Sequence, residues 1–168
     1  MRKIAPVLVV VLVMAVIVVI TLSRAKQQSN VTIYTGNQDR QPVELVLGHY
    51  QDTQCGMTIE QVQDSAQAVA PDGRTWFFDD VGCLALWLKT NRLRDEMVFW
   101  VYGRDTGTWI DGRLAWYSRS DRTPMEFGFA PYAKHQEGFV DFDTMVQMML
   151  RGENLTNPYT RKELLGND

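Results

Sequence analysis

The stretch Gln54-Cys55-Gly56-Met57 places a thiol and a thioether two residues apart across a glycine. Glycine lets the backbone bend sharply, so the two sulfurs can converge on one point instead of following a regular strand or helix. Soft sulfur donors held together suit Cu(I). Met125 belongs with them. It follows Pro124, as Met57 follows Gly56, and a turn-former beside a methionine can aim its side chain at a site. Thioethers need no deprotonation and so bind Cu(I) without competition from protons. Met145 and Met149 fall on the apolar stripe of a helix, and Met97 lies within a strand; these three read as core.

The second cysteine, Cys83, lies in the first turn of an expected helix, in Phe77-Phe78-Asp79-Asp80-Val81-Gly82-Cys83-Leu84. A helix N-terminus lowers a thiol pKa and two neighbouring aspartates raise it. Ligand, disulfide partner of Cys55 and core residue all remain open for Cys83. Other chemistries find little support. His49 and His135 stand in unrelated contexts, no Ser or Cys sits in a nucleophile elbow, and there is no phosphate-binding glycine loop. Zinc spacings of the CxxC or HExxH kind are missing. Asp79-Asp80 and the pair Asp141 and Asp143 read as helix caps rather than acid–base pairs.

The elements that must position these residues follow from the pattern. Ile4 to Leu22 is 19 residues without a charge, preceded by Arg2 and Lys3. At about 1.5 Å per residue it matches the thickness of a bilayer core, and it exceeds the usual apolar run of a signal peptide. It is therefore expected to be an uncleaved transmembrane anchor over residues 1–25, with the following domain on the periplasmic or extracytoplasmic side. Residues 26–43, rich in Gln, Asn, Ser and Thr, read as a linker. The formal charge is −3, and taking away Arg2, Lys3, Arg24 and Lys26 leaves −7. An acidic domain argues against nucleic acid and anionic surfaces.

Residues 44–152 are expected to form the folded domain and 153–168 a polar, irregular tail. Glu44 to Tyr50 reads as a short strand. Ser65–Ala70 and Arg74–Asp79 flank Pro71-Asp72-Gly73 and predict a hairpin. Val81, Leu84, Ala85 and Leu88 predict a helix from about 80 to 92 behind Asp79 or Asp80 as cap. Glu96 to Tyr102 reads as a strand buried on both faces, Trp109–Gly112 with Arg113–Ser118 as a second hairpin or a bulged strand, and Phe127 to Tyr132 as another strand. Phe142, Met145, Val146, Met149 and Leu150 predict a helix over about 142–151. The class is α+β, with strand–strand–helix–strand around Cys83 and a similar strand pair and helix after Met125.

Taken in order, Cys55-Gly56-Met57, Phe78-Asp79-Asp80-Val81-Gly82-Cys83, Trp109-Ile110-Asp111 and Pro124-Met125, with Gly128 and Ala130 beyond, resemble the NosL family. The likeness spans about Gly48 to Lys134. Members are exported, membrane-associated copper-binding accessory proteins of nitrous oxide reductase assembly. The resemblance implies small ββαβ units similar to those of the organomercury lyase MerB. It also implies Cu(I) held by the Cys55/Met57 stretch and Met125, with a carboxylate such as Asp111 or Asp121 nearby. The partners it implies are a copper-requiring reductase apoprotein and a membrane transporter complex. Two features depart from the family: an anchor in place of the common lipoprotein attachment, and no second cysteine just before Cys55. The expected function is a carrier of copper rather than an enzyme. The rivals are a thiol–disulfide protein using Cys55 and Cys83, and a docking module of a membrane complex without a metal.

Overall fold

The computed structural model describes residues 4–26, 31–91 and 94–166, and within the first helix the side chains of 9–20. Two compact units divide the chain, Met1–Asn30 and Val31–Asp168. The first holds helix α1 (Ile4–Lys26). The anchor expected from Ile4 to Leu22 is overturned: among the described residues no helix is long and apolar enough to cross a membrane. The extracytoplasmic placement inferred from that anchor loses its basis as well.

The second unit is α+β. Its nucleus is the hairpin of β2 (Ala66–Val69) and β3 (Thr75–Phe78), antiparallel with Ala66 opposite Phe78 and Val69 opposite Thr75. Pro71-Asp72-Gly73 turns it as expected. Gly73 takes a positive φ of 80°, and Asp72 accepts from the Arg74 backbone N–H while pairing with its guanidinium at 2.7 Å. β4 (Val98–Gly103) joins β2, β5 (Thr108–Asp111) joins β4, and the short β1 (Ile33–Tyr34) flanks β3. The order is β1-β3-β2-β4-β5, all antiparallel.

Every residue of β2 and β3 is buried, because both faces of these strands are covered. On one face lies α2 (Val81–Leu88), whose Val81, Leu84, Ala85 and Leu88 join Ala66, Ala68, Trp76 and Phe78 in the main core. Trp87 packs its ring against both Trp76 and Phe78. On the other face Phe77 packs with Tyr50 and Ile59, flanked by Val31, Val43 and Leu45. Residues 31–50 therefore belong to the fold. The buried Gln67 side chain holds Val43 from both sides, accepting from its N–H at 2.8 Å and donating to its carbonyl at 2.7 Å. This corrects the linker expected up to residue 43. The strand expected over Glu44 to Tyr50 is also absent; Tyr50 makes only an isolated parallel bridge to Val31.

β4 alternates, with Phe99, Val101 and Gly103 buried and Val98, Trp100 and Tyr102 half-buried, so it is not covered on both faces. Helix α2 is capped by Asp80, which accepts from the Gly82 N–H at 2.7 Å, and it stops at Leu88, short of the expected end. Gly82 is a close approach: a Cβ there would lie 2.3 Å from the Phe127 ring. β6 (Trp116–Tyr117) and β7 (Pro131–Tyr132) form a second small sheet. It is shorter than the expected hairpin and strand, and one of its strands precedes Met125.

Helix α3 (Phe142–Arg151) matches its expected bounds, with Asp141 as N-cap and Gly152 in the left-handed conformation as C-cap. Its Phe142 stacks on Phe99 at 5.1 Å, and Met145, Val146 and Met149 are buried. The expected irregular tail instead forms α4 (Pro158–Leu165), capped by Asn157 with Pro158 in the first turn. Asn followed by Pro is a helix-start signal in its own right.

Candidate metal centre

The hairpin, α2 and the turn at Cys55 meet at one point. Residues 52–57 close on themselves: the Asp52 N–H donates to the Met57 carbonyl at 2.8 Å, and the Gly56 N–H to the Asp52 carbonyl at 3.0 Å. Gly56 has a φ of +78°, the left-handed conformation that glycine adopts without a Cβ penalty. The Gln51 side-chain amide donates to the Gly56 carbonyl. Thr53 N–H reaches the Phe77 carbonyl at 2.9 Å, which ties the turn to the end of β3. Asp79 and Asp80 follow Phe78 directly, and Cys83 sits in the first turn of α2.

The result is a group of Asp52, Cys55, Asp79 and Cys83 whose potential ligand atoms all lie within 4.8 Å of one another. Such a group could hold a metal ion. Cys55 is exposed and the other three are buried. Both thiols are free. Cys55 Sγ stands 3.9 Å from Asp79 Oδ1, with the thiol as donor.

The electrostatics are those of a site short of positive charge. Burial first, and then the neighbouring Asp52, Cys55, Asp80 and Asp79, push the Cys83 thiol far above its ordinary range. Burial first, then the Asp52 and Asp79 charges, raise Cys55 to about 11. Burial, the hydrogen bond with Asp52 and the neighbouring carboxylates raise Asp79. A bound cation relieves every one of these repulsions and stabilises the ionised donors.

Beside this group opens a cleft of about 510 Å³ lined by Met57, Thr58, Glu60, Gln61, Asp79 and Pro124. Met57 is 42% exposed. Asp79 belongs both to the cleft and to the donor group, so the cleft that Met57 lines borders the group at Asp79. Met125 is half-buried against the main core, and its N–H donates to Asp80 Oδ2 at 3.0 Å.

The carboxylates expected at the site are elsewhere engaged. Asp111 ends β5 opposite Trp100, and its Oδ1 accepts from the Arg113 N–H at 2.8 Å. Asp121 pairs with Arg104 at 3.2 Å and accepts from the Tyr132 hydroxyl. Neither belongs to the donor group. The two that do, Asp52 and Asp79, escaped the sequence argument, although each left a signal. An aspartate three residues before a turn cysteine is the pattern of an Asx-type turn. Of two adjacent aspartates before a helix only one can be the N-cap; Asp80 takes that place, and Asp79 remains for another role.

Leucine nearly conserves the volume of methionine, at a cost under about 1.5 kcal/mol, and removes the sulfur. Met57→Leu is therefore expected to weaken metal binding at this group by about tenfold, equivalent to about 1.4 kcal/mol. Met125→Leu is expected to weaken it less, and Met149→Leu not at all. Competition titrations of the three folded variants check this order. Equal losses in all three would show that packing, not ligation, had been altered.

Compared with known proteins, the chain matches no protein-family model and no curated protein.

Proposed function

We propose that the protein is a Cu(I) carrier that binds one ion through the Cys55 and Cys83 thiolates and passes it to a recipient protein. The supporting observation is the donor group itself: two free thiols held within 4.8 Å, one buried and one exposed, beside a cleft that presents Met57. Two thiolates suit a soft, low-coordinate ion, and the exposed Cys55 gives a partner access to the group. Transfer then proceeds by ligand exchange. An incoming sulfur or imidazole from the recipient takes up the ion as Cys55, the exposed donor, lets go. The protein catalyses no turnover of its own. The resemblance of the ordered motifs to the NosL family suggests the recipient, a nitrous oxide reductase-type apoprotein under assembly.

A thiol–disulfide role gains from the proximity of the two sulfurs but loses on their acidity. Reactive cysteines of such proteins have lowered pKa values, whereas both thiols here are raised.

The test is a competition titration of the reduced protein. One equivalent of Cu(I) is expected to bind and to stay bound against a large excess of Zn(II), because thioether and paired thiolate donors favour the softer ion. Displacement of the copper by zinc would refute the assignment.

A further inference from the structure

Of the four side chains in the donor group, Asp52 differs from the rest in what its oxygens already do. Its Oδ1 accepts from the Gln54 N–H at 2.6 Å and from the Cys55 N–H at 2.8 Å. Its Oδ2 accepts from the Asp79 N–H at 2.9 Å, across 27 residues of sequence. A carboxylate has about four acceptor positions, so three are filled by backbone donors, and the Asp79 carboxyl faces the remaining one. The side chain is 1% exposed. Asp52 is thus a poor candidate for a ligand. What it joins is the loop that carries Cys55 and the segment that leads into α2 and Cys83.

We infer that Asp52 is a positioning residue: its carboxylate ties the Cys55 turn to the start of α2 and thereby sets the separation of the two sulfurs. This deepens the copper proposal above and presumes the same two thiols as donors. Its consequence for the ligand set is that Cys55, Cys83 and Asp79 remain as donors of the group, while Asp52 holds them in register. A second tie, the Thr53 N–H to the Phe77 carbonyl at 2.9 Å, keeps the turn on the sheet but does not reach α2. Loss of the Asp52 carboxylate therefore loosens the spacing of the thiols without releasing the turn.

The spacing can be read without any metal. Reduced, metal-free full-length protein is equilibrated at pH 7 with oxidised and reduced glutathione. The Cys55 thiolate attacks glutathione disulfide, releasing one glutathione thiolate and leaving a mixed disulfide. The Cys83 thiolate then displaces the second glutathione and closes the Cys55–Cys83 bond. Two protein thiols are oxidised as one glutathione disulfide is reduced to two thiols. The equilibrium gives the effective concentration of one thiol at the other.

Asp52→Asn keeps an acceptor for the Gln54 and Cys55 N–H groups but turns an amide donor toward the Asp79 N–H. Asp52→Ser keeps the local turn and loses the reach to Asp79. Both are expected to lower the effective concentration at least about tenfold and to lower Cu(I) affinity in parallel, with the far-ultraviolet circular dichroism unchanged. Asp64→Asn is the comparator. It breaks the buried Asp64–Arg104 ion pair, 2.7 Å long and outside the donor group, and should leave the effective concentration as it is.

An unchanged value in folded Asp52 variants overturns the inference, as does a loss of the same size in Asp64→Asn. Loss of the fold in both Asp52 variants also overturns it, since the residue would then serve the whole domain. The copper proposal fails separately. A drop in effective concentration in a protein that binds no Cu(I) leaves the positioning role standing, whereas an unchanged value with copper still bound leaves only the carrier role.

Discussion

Cys55→Ser is expected to reduce Cu(I) affinity by roughly a thousandfold or more, because a hydroxyl is a hard and poor donor for a soft cation. Cys83→Ser should do nearly the same. Cys83 belongs to the main core, 1% exposed, and its Sγ also lies within the donor group with Asp79 and Cys55. The two variants separate on stability. Cys55 is exposed, so the serine hydroxyl there meets water. At position 83 a hydroxyl left without a partner in the core costs about 1–3 kcal/mol. Urea denaturation of the metal-free variants, alongside copper titration, reads both quantities. Full Cu(I) affinity in Cys55→Ser would defeat the carrier proposal outright.

The second large effect is on pH. Metal loading requires thiolates, and each thiol that is protonated before loading releases a proton on binding. Cys55 is raised to about 11 and Cys83 is raised further by burial, so both are protonated throughout the neutral range. The sign follows directly: protons compete with Cu(I), and affinity rises with pH. With two protons released, the affinity should climb about a hundredfold per pH unit, or roughly ten-thousandfold from pH 6 to pH 8. Asp79, raised by burial and by Asp52, steepens the dependence further if its proton leaves as well. A single thiolate ligand would give about a tenfold rise per unit. A flat profile would mean that neither thiol holds the metal. The measurement is a titration at several pH values against a Cu(I) chelator of known pH dependence.

Cys55 is the sulfur of the group that solvent reaches.

The sequence by itself determined those features that depend on neighbours in the chain. Pro71-Asp72-Gly73 specified the hairpin because a tight turn needs a residue tolerant of positive φ at Gly73. The 3.6-residue spacing of Phe142, Met145, Val146 and Met149, with Asp141 before and Gly152 after, specified α3 to the residue. Cys55-Gly56-Met57 was legible as a turn that carries two sulfurs. The tertiary structure alone decided whatever depends on segments far apart in the chain. Polar residues 31–43 looked like a linker because their few apolar residues find partners only in the folded domain: Ile33 and Tyr34 pair with β3, and Val31 and Val43 pack against the second core, with Gln67 supplying hydrogen bonds to Val43. That the core residue Cys83 also stands beside Cys55 depends on where residues 52–57 are tied down, and Asp52 reaches 27 residues onward to Asp79 there. Asp111 fell away and Asp79 came in for the same reason. Metal-ligating atoms must meet within a few ångströms, and such meetings are made by the packing of the turn, the hairpin and α2, which no local spacing records.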